Sequence, residues 1–141
     1  MEYTSTSDQK TQQIARELAH KLPSRVFALS GELGSGKTTF VQGFAKGLGI
    51  KEKIISPTFV LVRQHKIPKT KKTLYHIDLY RLEDGEQIKA LGLKEIWQNP
   101  ESIVVIEWAE KIKELLPKKA VLIYFEKLDN EKRKIEIKTL S

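Results

Sequence analysis

The sequence contains no cysteine and no long apolar run. The lack of cysteine excludes disulfides, thiolate metal sites and cysteine nucleophiles, and it fits a cytoplasmic protein. No segment approaches the roughly 20 apolar residues of a membrane-spanning helix. The first residues, MEYTS, lack the basic-then-apolar pattern of a signal peptide. We therefore expect a soluble, intracellular protein without a membrane partner.

Positive charge is in excess: 25 Lys and Arg stand against 18 Asp and Glu, a formal net charge of +7. The lysines gather in runs within residues 66–72, 111–119 and 127–134. Such runs can attract an RNA backbone or an acidic partner. They can also form a solvated surface, which is the interpretation that charge alone favours. No aromatic residues interleave with the runs, as a stacking platform for single-stranded nucleic acid would require.

Local patterns of apolar and turn-forming residues alternate between helix and strand along the chain. They predict helices at residues 6–22, 37–48, 84–91 and 108–116. They predict strands at residues 25–30, 58–65, 73–80, 102–106, 120–126 and 133–139. Thr6 or Ser7 can cap the first helix, and strands 58–65 and 73–80 can pair as a hairpin around a basic turn. We therefore expect a single α/β domain over residues 1–141, with a mixed sheet whose parallel core carries antiparallel strands and is flanked by helices.

A phosphate-binding motif follows the first predicted buried strand. Residues 31–38, GELGSGKT, match a glycine, four residues, then GK and a serine or threonine. Glycines allow a tight turn whose N–H groups point at a phosphate, and the helix that follows adds the positive end of its dipole. Lys37 would reach the β- and γ-phosphates, and the Thr38 hydroxyl would coordinate magnesium. The sequence therefore predicts a nucleoside triphosphate site formed by Gly34, Ser35, Gly36, Lys37, Thr38 and Thr39.

Further candidates lie after other apolar segments. Glu107 ends a buried strand, where a phosphate loop needs a carboxylate to hold magnesium; it replaces the commoner aspartate. Asp78 could orient the attacking water, support magnesium or face solvent, and spacing alone leaves these open. Trp108 is either an aromatic wall near the nucleotide or a partner, or a core residue. The segment SPTF at 56–59 is either a loop that senses the γ-phosphate or a turn leading into a strand.

Four segments together resemble the TsaE (YjeE) family, the ATPase component of bacterial threonylcarbamoyladenosine synthesis in tRNA. They are GELGSGKTT at 31–39, SPTF at 56–59, HIDLYRL at 76–82 and IEWAE at 106–110. Their order and spacing agree with the family. The resemblance implies that the nucleotide is ATP, with Mg²⁺ bound by Thr38 and Glu107. It also implies catalytic roles for Lys37 and Asp78, and a place for Trp108 beside the nucleotide.

The resemblance further implies partners and a fold. The partners would be the TsaD and TsaB proteins, onto whose complex the chain would dock, with tRNA in direct or indirect proximity. Hydrolysis would be slow in the isolated protein and would reset the partner complex. The fold would be a P-loop sheet flanked by helices, with antiparallel strands joined to the parallel core.

Three other functions are weighed against an ATPase subunit. A small P-loop kinase usually needs a lid with several arginines, whereas the five arginines here are scattered; a GTPase would need an NKxD segment, which is absent. A nucleotide-sensing module that uses its lysines on tRNA is not separated from an ATPase by the sequence. No arginine is evident as an internal finger on the γ-phosphate, so we expect weak activity until a partner completes the site.

Overall fold

The computed structural model describes residues 1–22, 24–54, 62–81, 92–129 and 131–139. The strands there are β1 (Glu2–Ser5), β2 (Val26–Gly31), β3 (Val62–Lys66), β4 (Thr73–Asp78), β5 (Ser102–Glu107), β6 (Val121–Asp129) and β7 (Lys132–Thr139). The helices are α1 (Asp8–Lys21), α2 (Lys37–Gly47), α3 (Leu93–Gln98) and a 3₁₀ helix at Ala109–Leu115. The strands form one sheet in the order β1-β7-β6-β2-β5-β4-β3.

Strands β6, β2, β5 and β4 are mutually parallel and form the centre of this sheet. Strand β2 is apolar on both faces because both are covered. Phe27 and Leu29 belong to the core packed with α1 and α2, whereas Val26 and Ala28 belong to the core packed with α3 and the 3₁₀ helix. The predicted α/β class, with a parallel core and antiparallel outer strands, is confirmed.

The outer strands pair antiparallel with their neighbours: β3 with β4, β7 with β6, and β1 with β7. The predicted hairpin around the basic turn is therefore present, with Lys66 opposite Thr73. The closing pair β6 and β7 is also present, over longer spans than expected. Helix α1 has the predicted cap, since the Ser7 hydroxyl accepts a hydrogen bond from the Lys10 N–H at 3.0 Å.

Three elements differ from the sequence-based expectation. Strand β1 is a four-residue, largely polar segment that pairs with β7. Helix α3 was also missed; it buries Leu93 and Trp97 against the second core. The segment after Glu107 is a 3₁₀ helix kinked at Ile112 rather than an α-helix. The predicted helix 84–91 and the first residues of strand 58–65 lie outside the described residues.

The parallel register carries three strand ends to one edge of the sheet. Leu29 of β2 lies opposite Glu107 of β5, and Asp78 of β4 lies opposite Glu107 on the other side. The phosphate loop begins two residues after Leu29 and therefore starts at the same edge. Ligands bind at this edge in open α/β sheets because the loops that follow the strands converge there. In the described part of the chain, no helix has the length and apolarity needed to cross a membrane.

Close packing of α1 on α2 depends on a glycine, which gives a first prediction. A Cβ at Gly43 would lie 2.5 Å from Gln12 Cα and closer still to the Gln12 carbonyl oxygen, so Gly43→Ala must push two backbones apart. We expect Gly43→Ala to lower the free energy of unfolding by about 3 kcal/mol or more, measured by urea denaturation. Gly49→Ala is the control: a Cβ there meets open space, so the cost is only that of a left-handed backbone, about 1–2 kcal/mol. Equal losses in the two variants would contradict the packing argument.

Candidate nucleotide-binding site

The phosphate loop wraps between the end of β2 and the start of α2. Gly31 has φ of +153° and Gly36 has φ of +104°, which side chains rarely tolerate. A Cβ at Gly31 would also lie 2.6 Å from the Phe125 carbonyl oxygen on β6. Only glycine permits this path, and the path places Gly34, Ser35, Gly36, Lys37, Thr38 and Thr39 around a cavity of about 450 Å³. The predicted phosphate-binding set therefore lines one cavity.

Lys37 occupies the first turn of α2 and is only 5% exposed. Its ammonium group donates hydrogen bonds to the carbonyl oxygens of Gly31 and Glu32 and lies 3.9 Å from the centre of the Trp108 ring. Burial lowers the pKa of Lys37, an effect that nearby carboxylates, led by Glu110, oppose. A phosphate at this place would supply the anionic partner that the buried ammonium favours.

Thr38 and Glu107, the predicted metal ligands, are in direct contact. The Thr38 hydroxyl donates to Glu107 Oε1 at 2.9 Å, and the Glu107 side chain is almost fully buried. The second carboxylate oxygen, Oε2, lies 2.5 Å from His76 Nε2 on the neighbouring strand β4. The described residues contain no cluster of three or more His, Cys, Asp or Glu side chains able to hold a metal. Mg²⁺ is rarely bound by protein ligands alone and usually keeps water and phosphate oxygens in its coordination shell. A site with one hydroxyl and one carboxylate, Thr38 and Glu107, therefore fits Mg²⁺.

Asp78 ends strand β4 on the same cavity. Its Oδ1 accepts a hydrogen bond from the Tyr80 N–H at 3.0 Å. Burial, reinforced by the negative charge of Glu107, raises the pKa of Asp78, although the Tyr80 hydrogen bond and the positive charge of Lys37 oppose the shift. Asp78 thus lines the same cavity as Thr38 and Glu107, and it lies opposite Glu107 in the strand register.

Trp108 forms a wall of the cavity at the end of β5. Its φ of +61° is left-handed, an uncommon conformation for a bulky residue. Its ring packs against that of Tyr80, with centroids 5.1 Å apart, and receives the Lys37 ammonium on its face. Trp108 therefore lines the cavity and also packs against the second core, so features of both interpretations are present.

Four cavity residues were not singled out from the sequence: Asp8, Tyr80, Arg81 and Arg133. Two of the five arginines therefore line the cavity, although none is evident from the sequence as a finger on the γ-phosphate. Arg81 lies within the HIDLYRL segment, which was a usable signal. No signal in the sequence pointed to Arg133, because β7 comes near the phosphate loop through its place beside β6. In the structure, Arg133 Cγ lies 4.0 Å from the position that a Cβ on Gly36 would take.

Comparison with known proteins places these residues in a family. A family model described as threonylcarbamoyl adenosine biosynthesis protein TsaE matches residues 5–135. The tRNA threonylcarbamoyladenosine biosynthesis protein TsaE of Bacillus subtilis (strain 168) is 35% identical over 139 residues, covering 96% of this chain and 83% of that protein. The TsaE protein of Rickettsia conorii is 40% identical over 139 residues, covering 97% and 77%. The chain belongs to the TsaE family.

A solved structure agrees with this assignment. The crystal structure of Bacillus subtilis YdiB matches this TsaE-family chain with a TM-score of 0.80 and 30% sequence identity, over 100% of this chain and 86% of YdiB. The cavity described above is lined by residues from three of the segments that resemble the family, at 31–39, 76–82 and 106–110. The fourth, SPTF at 56–59, lies outside the described residues.

The raised pKa of Asp78 predicts a gain in stability for Asp78→Asn in the nucleotide-free protein. A carboxyl whose folded pKa exceeds its unfolded pKa favours folding below the unfolded value, and this contribution is lost as the pH rises through the folded pKa. The variant should therefore melt at a higher temperature than the native protein at about pH 8, and the difference should vanish as the pH falls below about 4. Thermal unfolding across this range measures it. Asp129→Asn, on the exposed end of β6, controls for the loss of one charge. A difference that is independent of pH would contradict the argument.

Proposed function

We propose that this chain is the subunit that binds and hydrolyses ATP, with Mg²⁺, for threonylcarbamoyladenosine modification of tRNA. Membership of the TsaE family supports the tRNA modification. The observation that carries the ATPase activity is the contact of Thr38 with Glu107, 2.9 Å long, at the start of the helix that follows the phosphate loop. Because the reaction serves tRNA, we expect the protein to work in the cytoplasm.

Each residue of the cavity has a role in this proposal. The N–H groups of residues 34–39 would bind the phosphates, and Lys37 would turn from the loop carbonyls to the β- and γ-phosphates. Thr38 and Glu107 would hold Mg²⁺, which would neutralise the negative charge of the phosphates. Asp78 would orient the water that attacks the γ-phosphate, and Trp108 would shield the site from solvent.

The proposal includes partners. We propose that the chain docks onto a complex of TsaD and TsaB in a nucleotide-dependent way, and that hydrolysis resets this complex, with tRNA close by. The cavity opens among exposed groups that a partner could cover: Leu33 in the phosphate loop is 69% exposed and Tyr80 is 47% exposed. A partner covering these side chains would exclude water from the phosphates and strengthen the electrostatic interactions of the site.

Partner dependence can be tested by ATP turnover. We expect slow hydrolysis by the isolated protein and at least a tenfold rise when the TsaD–TsaB complex is added, because a completed phosphoryl-transfer site can gain about a thousandfold. Lys37→Ala should abolish the increase by weakening nucleotide binding, and it serves as the control for contaminating ATPases. Equal rates with and without the complex would exclude the reset role. Transfer of the γ-phosphate to an acceptor other than water would favour a kinase, and tight ATP binding without any turnover would favour a nucleotide-sensing module.

The two arginines of the cavity should have separable effects. Arg81 follows Asp78 and Tyr80 on the side of the expected attacking water, so Arg81→Ala should lower kcat at least tenfold with little change in ATP affinity. Arg133 lies against Gly36 of the phosphate loop, so Arg133→Ala should weaken ATP binding several-fold and leave kcat nearly unchanged. Steady-state kinetics with direct ATP binding measures both, and the charge-preserving Arg81→Lys and Arg133→Lys are the matched controls. If Arg81→Ala weakened ATP binding and Arg133→Ala lowered kcat instead, the roles assigned to the two arginines would be wrong.

A further inference from the structure

His76 is an ionisable side chain of the fold that the proposed reaction does not use, although it touches the candidate metal site. It lies on β4 and is fully buried, and its Nε2 is 2.5 Å from Glu107 Oε2. Glu107 is the residue whose other oxygen accepts from Thr38. Thr38, Glu107 and His76 thus form a continuous hydrogen-bonded chain that runs from the phosphate loop into the core.

The groups around the His76 ring favour a proton on Nε2, which faces Glu107, over a proton on Nδ1. Val105 of β5 and Arg63 of β3 lie opposite His76 in register, and neither side chain offers an acceptor. In the described part of the structure, His76 Nδ1 is buried without a hydrogen-bond partner. A proton on Nδ1 would therefore be a buried donor with nothing to bind, whereas a proton on Nε2 is donated to a carboxylate.

Glu107 needs such a partner more than an aspartate would. Glutamate has one more rotatable bond, so its carboxylate can take up more positions at the end of β5. The hydrogen bonds at Oε1 and Oε2 together define the plane of the carboxylate, with Oε1 turned toward Thr38. Partners of this kind behind a ligand commonly set the affinity of a metal site, and their loss costs about 10–100-fold in metal affinity.

We infer that His76 is a positioning residue of the candidate magnesium site: it holds Glu107 Oε2 through Nε2–H and so keeps Oε1 directed at Thr38, the other residue that would hold the metal. This inference rests on the proposed function, because it concerns the site that would hold Mg²⁺ with ATP. It differs from a purely structural role in one respect. A histidine that only fills the core affects folding, whereas a positioning histidine affects metal binding through Glu107 and nothing else in the site.

Two amide substitutions, His76→Gln and His76→Asn, separate these roles. The amide nitrogen of a glutamine reaches about as far as Nε2 of the histidine ring, whereas the amide of an asparagine is shorter. With Mn²⁺ as the probe in the presence of ATP, electron paramagnetic resonance should show near-native affinity for His76→Gln and about tenfold weaker affinity for His76→Asn. ATP binding measured in EDTA should be the same in both variants and in the native protein. Equal Mn²⁺ affinities for His76→Asn and the native protein would overturn the inference.

A double-mutant cycle tests whether His76 acts through Glu107. In a Glu107→Gln background, His76→Asn should cause no further loss of Mn²⁺ affinity, because the carboxylate that it positions is gone. An undiminished second loss would contradict the inference, as would equal losses in His76→Gln and His76→Asn. Failure of the native protein to bind ATP or Mn²⁺–ATP would instead refute the proposed function. Thermal unfolding of each variant checks that the compared proteins are folded at the assay temperature.

Discussion

The hydrogen bonds of the Glu107 carboxylate join parts of the chain that are distant in sequence. One oxygen accepts from Thr38 at the start of α2, and the other lies against His76 on β4. A carboxylate this deeply buried is tolerated because both oxygens have partners. These two contacts therefore tie the helix after the phosphate loop to strands β5 and β4 of the sheet.

Burial and opposite charges together set the pKa shifts of Lys37 and Asp78 in the cavity beside Glu107. Burial lowers the pKa of Lys37 and raises that of Asp78, and each charge partly offsets the shift of the other. Lys37 hydrogen-bonds to its own loop and lies against the Trp108 ring. Both groups are thus held with incomplete compensation at the edge of a cavity, an arrangement typical of functional sites rather than of cores.

Much of the fold could be predicted from local pattern. The continuous apolar strands predicted at residues 25–30 and 102–106 indicated a parallel core, because strands with this composition are usually covered on both faces. The two elements that the sequence did not predict, β1 and α3, were missed for the same reason. Strand β1 is polar and short, and α3 has only six residues, so neither carries a periodic signal of its own. Both are stabilised by tertiary contacts, β1 by pairing with β7 and α3 by burying Leu93 and Trp97.

The sequence by itself determined the phosphate loop with Lys37 and Thr38, because glycines and a lysine at this spacing have few other uses. The apolar strand before Glu107 made that residue a candidate, whereas roles for Asp78 and Trp108 came from the resemblance to the TsaE family. Tertiary structure alone decided which groups meet. The register of β4 on β5 sets Asp78 opposite Glu107 and brings His76 to the Glu107 carboxylate. The position of β7 beside β6 brings Arg133 to the phosphate loop. Such contacts depend on strand order and register, which join residues tens of positions apart and leave no trace in local spacing.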